Sequence, residues 1–509
     1  MSLPDRWVLT ATLTTLAPLT IRTGAEETDD HRPVGEQAFP GLPLKGPETN
    51  PEIAAINAIE LDRFGHPFIP GSALKGLIRS LAATHLANDD AQLERVEALL
   101  GGMVKENRPG AGPGVSLGRG GSAEFRNAFI AALPRHAPPV RGRTAIDRGS
   151  RTAADGMLRH DRAVAPGTAF AIEIVVDRAD VETIKLLRGL LALIDGKRPI
   201  SSLGSGDGRV ALTDVVVRHW DADAIKAWLL GDEPVWRNAQ TAASPADTEP
   251  EAMTPQRSVA VFRIALHIAG HFLVSVAVHK TQKVKKDDPS HIPIKPAPCG
   301  PPRPELPASS FDGAARAQAE RIFRTVHGNP DVDWSSEPPE PLEELFGSRR
   351  CKGLFTPSDF VGAPVEPTKV DFNAIDRLSG GGLDGAKFAV KAFEAPVLRG
   401  DLNLCFERVV SPLLTGQPST GTAREISAAA VGLLALTLRD LADGDITLGY
   451  GTRKGFGDVA HLEYGEGGGL HDLLDAIGTA WIGGGAAAEA GREAINGAVR
   501  AFREWEPAA

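Results

Sequence analysis

The sequence predicts an α+β protein built from two related units in tandem. The first observation behind this is Phe68–Ser80, FIPGSALKGLIRS. A short strand ends there, Pro70 and Gly71 turn the chain, and a helix begins. Leu74, Leu77 and Ile78 share one face of that helix, with Lys75 and Arg79 one turn apart on another. The second observation is an echo. Leu306–Arg316, LPASSFDGAAR, repeats the apolar-Pro step, the small pair, the glycine and the arginine in the same relative places. The third is that more echoes follow in the same order. Leu99–Gly102 is answered by Leu345–Gly347, and Ala145–Arg148 by Ala374–Arg377. Leu203–Val210 (LGSGDGRV) is answered by Leu448–Val459 (LGYGTRKGFGDV). Ordered self-similarity of this kind marks a repeat.

At 509 residues the chain exceeds one compact core. The repeat divides it into a first domain at 1–237, a linker at 238–256, a second domain at 257–460 and a helical extension at 461–509. Trp7–Leu19 reads as a first strand, and Arg22–Asn50 as a loop without period. Ser72–Leu86 and Ala91–Leu100 read as helices, and Gly101–Gly121 as a glycine-rich loop. Thr168–Val176 alternates as a half-buried strand, Val181–Ile194 is an amphipathic helix, and Arg209–Val217 is a strand after a glycine turn. Asn238–Gln256 has almost no bulky residue, which suits a linker. Val259–Val278 opens the second unit as a strand or hairpin, and Ser310–Val326 is its anchor helix. Phe388–Phe393 and Asp401–Val409 read as strands, and Ile426–Ala442 as the helix matching Val181–Ile194. Leu470–Trp505 is helical, broken at Gly483–Gly485. Helices alternating with antiparallel-leaning strands suit a split βαβ arrangement.

Three cysteines, Cys299, Cys351 and Cys405, make neither a disulfide framework nor a metal cluster. MSLPDRWVLT lacks the features of a signal peptide, and the apolar run at Val259–Val278 is interrupted by Arg263, His267 and His271. The expectation is a cytoplasmic protein without membrane partners. A net charge of −10 argues against a free-standing nucleic-acid binder. It leaves room for cations lining a single groove.

Several stretches carry candidate chemistry. At the start of the anchor helix, a Ser72 cap, unpaired N–H groups, Lys75 and Arg79 favour a phosphate. The same residues also suit an ordinary strand–turn–helix with solvated cations. Pro138–His160 carries Arg143 and Arg148, among other cations, as a solvated loop or one side of a nucleic-acid groove. His279–Arg303 is basic at Lys280, Lys283, Lys285 and Lys286, then acidic at Asp287-Asp288. Asp29-Asp30 is a second acidic loop pair. Such carboxylates can hold Mg²⁺ beside a phosphodiester, though loop aspartates are more often simply solvated. Gly449–Gly457 (GYGTRKGFG) lacks the ending of a nucleotide-binding P-loop. Its glycines suit a tight turn, and Arg453 and Lys454 are its candidates for phosphate contact.

Taken together these motifs resemble the RAMP superfamily of CRISPR effector proteins. Phe68–Arg79 is similar to its IPGSSLKG-x-x-R signature, and LGYGTRKGFGDV to its glycine-rich loop. RTAIDRGSRTAA (Arg143–Ala154) and NAIDRLSGGGLDGA (Asn373–Ala386) resemble the IDR-x-T-G-x-A segment of type III backbone subunits. The chain looks like a tandem fusion of two Cas7-type backbone domains, each an RRM-like, ferredoxin-like fold with inserted loops. The resemblance implies guide-RNA binding by shape and backbone contact, with a thumb-like hairpin that displaces guide nucleotides. Its implied partners are a CRISPR guide RNA, a complementary target RNA and other Cas subunits of a type III complex. RNA contacts fall on Lys75, Arg79, Arg143, Arg148, Lys280, Lys283, Arg316, Arg377, Arg453 and Lys454. Members that cleave target RNA carry an aspartate before an Asn-Pro-x-I-x-D run. Here Asn57–Asp62 follows Ile56 at that place, which leaves Asp29 or Asp30 to act in the first unit. In the second unit Asp288 is the candidate catalytic and metal-binding residue, with Asp287 as its partner and Mg²⁺ as the cofactor. Two alternatives stand beside a metal-dependent endoribonuclease: a purely structural guide-binding subunit, and a cytoplasmic enzyme of another class.

Overall fold

The computed structural model describes residues 5–27, 56–86, 90–105, 116–132, 140–143, 159–199, 208–231, 241–242, 249–251, 259–277, 291–293, 301–328, 338–348, 353–383, 386–409, 423–483 and 487–506.

In the first half, β1 (Arg6–Thr15) is the central strand, and its alternation buries Trp7, Leu9 and Leu13. β2 (Arg22–Glu27), β3 (Ile56–Ile59) and β4 (Phe68–Ile69) lead to helices α1 (Gly71–His85) and α2 (Asp90–Leu100). β5 (Gly102–Lys105) and β6 (Ser116–Arg119) form a separate ribbon. Then come β7 (Ala123–Phe125), β8 (Ala128–Ile130), β9 (Val140–Arg143), β10 (Arg159–Arg162) and β11 (Ala169–Asp177). α3 (Val181–Ala192), β12 (Asp195–Pro199), β13 (Arg209–Trp220), α4 (Ala222–Leu229) and the edge strand β14 (Thr241–Ala242) complete this half. The main sheet runs β12-β13-β1-β11-β8-β4. Leu74 and Ile78 of α1 and Ile184, Leu187 and Leu190 of α3 close the core over its inner face. A smaller sheet runs β2-β3-β10-β9.

The second half opens with β15 (Val259–Ala269), β16 (His271–Phe272), β17 (Ser275–Ala277), β18 (His291–Pro293) and β19 (Glu305–Leu306). Helices α5 (Ala308–His327) and α6 (Glu340–Phe346) follow. Next are β20 (Phe355–Pro357), β21 (Phe360–Val361), β22 (Thr368–Phe372), β23 (Phe388–Glu394) and β24 (Val397–Cys405). A ribbon of β25 (Glu407–Val409) and β26 (Ala423–Glu425) precedes α7 (Ala428–Ala442), β27 (Asp458–Tyr464), α8 (Leu470–Trp481) and α9 (Ala488–Arg503). The main sheet order β27-β15-β24-β21-β19 reproduces β13-β1-β11-β8-β4. The smaller sheets agree in sense as well as order. β2-β3-β10-β9 and β17-β18-β23-β22 both pair antiparallel, parallel, antiparallel. The protein is therefore α+β in two sheet-bearing halves of one topology, as the ordered echoes led one to expect.

Two local readings differ from the structure. β2 lies in a segment whose sequence has no strand period, because it is pairing with the separate strand β3 that makes it a strand. The β5–β6 ribbon occupies a stretch read as loop for the same reason. The described residues of the stretch expected as a linker touch the first half. Thr241 and Ala242 add to β13, and Glu251 accepts from Gln92 (3.2 Å) and Arg95 (3.4 Å). Among the described residues no helix is long and apolar enough to cross a membrane.

Candidate nucleic-acid interface

Both anchor helices begin after a proline, Pro70 or Pro307, and neither start has a local side-chain cap. Ser72, expected to cap α1, is exposed on its first turn. The first helical N–H is instead taken by a residue from the strand pair alongside. Gly71 donates to Asn127 Oδ1 at 2.9 Å, and Ala308 to Asp359 Oδ1 at 2.7 Å. Asn127 and Asp359 each stand just before the second strand of their pair, β8 or β21. An internal acceptor thus occupies part of the anion-favouring end that the sequence offered to a phosphate.

The signature arginines close the opposite end of the neighbouring helix. Arg79 Nη2 donates to the carbonyls of Leu100 (3.1 Å) and Gly101 (2.8 Å) at the end of α2. Arg316 Nη1 reaches the carbonyl of Gly347 (3.4 Å) at the end of α6, and its Nε pairs with Glu320 at 3.3 Å. Burial pushes the Arg316 pKa down from the usual guanidinium value. A cation on orphan carbonyls at a helix C-terminus is a structural device. The repeated Arg79 and Arg316 have this job in the structure, whereas the sequence offered them to RNA phosphates. Arg79→Ala is expected to lower stability by about 1 kcal/mol and Arg316→Ala by about 2 kcal/mol. Chemical denaturation checks both. Lys75 lies half-buried on α1, away from these bonds.

The hairpin of β22 and β23 buries part of β23 and leaves its tip largely exposed. Its last register pair is Phe372 with Phe388, with rings stacked at 5.1 Å and 20°. Beyond them the tip folds on itself through local bonds. Asp376 Oδ1 accepts the N–H groups of Leu378 (2.7 Å) and Ser379 (3.0 Å), and Leu383 N–H donates to the carbonyl of Ala374. The Ser379 and Leu378 amides hold the Asp376 carboxyl below its usual pKa. Ile375, Leu378 and Leu383 are 65, 98 and 47% exposed at this tip, beside exposed Arg377. A hydrogen-bonded turn that keeps apolar side chains and a cation in water is shaped for an external surface. The first half has the same hairpin stem, β9 with β10, in the matching place, and Arg143 pairs with Arg159 at its end.

The glycine stretch forms a tight turn around a short helical segment at Thr452–Lys454. Gly449, Gly451, Gly455 and Gly457 all have positive φ. Tyr450 N–H donates to the carbonyl of Leu273, and Gly457 N–H to that of His271. Arg453 and Lys454 are both exposed. Lys454 Nζ sits over three rings, 4.3 Å from Phe388, 5.0 Å from Phe372 and 5.4 Å from Tyr450. The sequence reading gave none of these rings a role at the site, nor Asn127 and Asp359. Their sole sequence signal is position within the repeat.

The structure brings Arg377 and Lys454 to one hairpin, with Arg453 beside Lys454. Lys75, Arg79 and Arg316 lie on the anchor helices. Asp29, Asp30, Arg148, Lys280, Lys283, Asp287 and Asp288 lie outside the described residues, as do Lys285 and Lys286. Arg143 ends β9, and Ile56, in the place of the expected aspartate, begins β3. Among the described residues no group of three or more His, Cys, Asp or Glu is placed to hold a metal ion.

Comparison with known proteins agrees with the duplicated topology. The RAMP superfamily model matches residues 12–210 and again 300–460. No curated protein matches the chain significantly. The two matched regions hold the repeated anchor helices, hairpin stems and glycine turns, and cover well over half of the chain. The chain belongs to the RAMP superfamily, a group of CRISPR-associated, RNA-binding proteins.

Proposed function

We propose that this protein is a guide-RNA-binding backbone subunit of a type III CRISPR effector complex, acting in antiviral defence in the cytoplasm. On this reading it is a fusion of two Cas7-type domains, 1–237 and 257–460, joined at 238–256 and followed by an extension at 461–509. Its partners are the guide, a complementary target RNA and other Cas subunits. The observation that carries the reading is the β22–β23 hairpin, with three exposed apolar side chains and Arg377 at its tip. Apolar wedges that enter between bases unstack them, and an adjacent cation offsets phosphate charge. A grip of this kind is indifferent to sequence, as a subunit holding many different guides requires. A fluorescently labelled single-stranded RNA titrated against the protein tests it. Binding that weakens steeply with salt and varies little with sequence is expected. The absence of binding, with the protein folded, would overturn it.

The finer part of the proposal is cleavage of target RNA. Asp288, with Asp287, would hold Mg²⁺ in the second half, and Asp29 and Asp30 would serve in the first. The metal would stabilise charge on the scissile phosphate. Lys285 and Lys286, adjoining in sequence, would keep Asp288 ionised. In the reconstituted complex, Asp288→Ala is expected to lower Mg²⁺-dependent cleavage of a complementary RNA by about a hundredfold or more, with guide binding intact. Unchanged product in the variant removes Asp288 from the site. A wild-type complex that yields no product leaves a purely structural backbone.

A further inference from the structure

We propose that Lys454 is a positioning residue that braces the β22–β23 hairpin against the glycine turn, and that it does not contact RNA phosphate. A lysine in a glycine-rich loop of an RNA-binding protein is most simply read as a phosphate contact, and its surroundings give it another task. Its ammonium lies within 5.4 Å of the Phe388, Phe372 and Tyr450 ring centroids. An ammonium over several ring faces is attracted by their quadrupoles. Phe372 and Phe388 are also the last register pair before the tip, so the cation grips the hairpin where its two arms part.

The base of the lysine is fixed. Lys454 N–H donates to the Gly451 carbonyl at 2.7 Å, and Leu448 N–H to that of Gly457 at 2.9 Å. Phe456, two residues on, packs against Phe372 at 5.5 Å and stacks on His271 at 5.3 Å. The turn is tied to His271 and Leu273 by backbone bonds, and β16 pairs with the far end of β23 through His271–Glu394 and Phe272–Phe393. The same turn therefore holds β23 at two places. One is beside Glu394, and the other is Lys454 at Phe388, about 20 Å away along an extended strand. Two separated attachments fix a hairpin's direction, which one alone leaves free to swing.

The repeat supplies an independent indication. In the first half the hairpin stem ends in Arg143 against Arg159, where the second half has Phe372 against Phe388. The matching stretch, Leu203–Val210, is four residues shorter than Leu448–Val459 and has no lysine. Aromatic stem and a lysine in the glycine stretch go together in one half, arginine stem and a glycine stretch without lysine in the other. A turn cation selected only for RNA phosphate gives no reason for the stem to change with it.

The consequence for RNA rests on the function proposed above, while the brace itself is measurable without RNA. Hydrogen exchange of the full-length protein reads the tip through the amides of Asp376 and Leu383, which donate to the carbonyls of Gly381 and Ala374. Lys454→Met keeps the apolar stem and removes the charge. It is expected to speed exchange at these amides about threefold to tenfold, and Lys454→Arg to leave it near wild type. In a salt titration with labelled single-stranded RNA, Lys454→Met is expected to bind about threefold to tenfold more weakly, with the slope of log affinity against log salt unchanged. Unchanged exchange in Lys454→Met overturns the brace. So does a slope shallower by about one, the signature of a lost phosphate contact. If the wild type binds no RNA the functional reading fails, and the exchange arm still decides the role of Lys454.

Discussion

Replacing Ile375, Leu378 and Leu383 together by serine is expected to weaken RNA binding by roughly a hundredfold and to leave thermal stability unchanged. These side chains are 65, 98 and 47% exposed. The folded protein gains little from them, because the tip is held by Asp376 and by backbone bonds within the turn. Their apolar area becomes useful only when another surface covers it. Covering each against splayed bases contributes on the order of 1 kcal/mol, and the sum corresponds to about two powers of ten. Serine keeps the turn, since none of the three supplies a side-chain hydrogen bond to it. The loss should not depend on salt, which separates it from Arg377→Ala, where a shallower salt slope is expected. Fluorescence anisotropy at several salt concentrations and a melting curve make the test. Wild-type affinity in the triple variant would mean that RNA runs elsewhere and that the tip meets a protein.

Much of the architecture was legible because a repeat is a pattern no single element has to carry. Ordered echoes from Phe68 to Val459 led to two units of one topology, and the matched strand orders bear this out. Helices whose apolar face is periodic, such as Val181–Ala192 and Ala428–Ala442, were placed within a few residues. Strands whose sequences carry no period, β2 and the β5–β6 ribbon, were not. Their pairing is decided by a distant segment, which composition does not record.

The contact residues were less legible for a related reason. Type and spacing identify a cation but not its partner. Arg79 and Arg316 looked like phosphate contacts beside a helix start, yet each reaches across to carbonyls at the end of the next helix. Those carbonyls lie 21 and 22 residues away for Arg79 and 31 for Arg316. Lys454 was visible, but two of the three rings that receive it come from a hairpin more than sixty residues earlier in the chain. Arg377 differs, because local turn chemistry around Asp376 sets its surroundings, and it is exposed at the tip.

Gly71→Ala is expected to cost the protein about 3 kcal/mol, while the reverse change at the matching place in the second half, Ala308→Gly, costs only about 1 kcal/mol. A Cβ at Gly71 would overlap the carbonyl oxygen of Phe125 and lie 2.7 Å from its carbonyl carbon and 3.1 Å from that of Arg126. All three are backbone atoms at the end of β7, so no rotamer change can make room. The start of α1 must then move off the sheet, which also stretches the Gly71 bond to Asn127 and unseats Ile69 and Leu74 from the core. Ala308 is fully buried with its Cβ in place, so the second half leaves a methyl's width between α5 and its sheet. At roughly 2–4 °C per kcal/mol for a domain of this size, Gly71→Ala should lower the melting temperature by about 10 °C. Differential scanning calorimetry of both variants reads the contrast directly. Equal small shifts would mean that α1 stands farther from Phe125 than the structure places it. The repeated signature would then tolerate alanine in either half, and its glycine would owe nothing to the close approach of helix and strand.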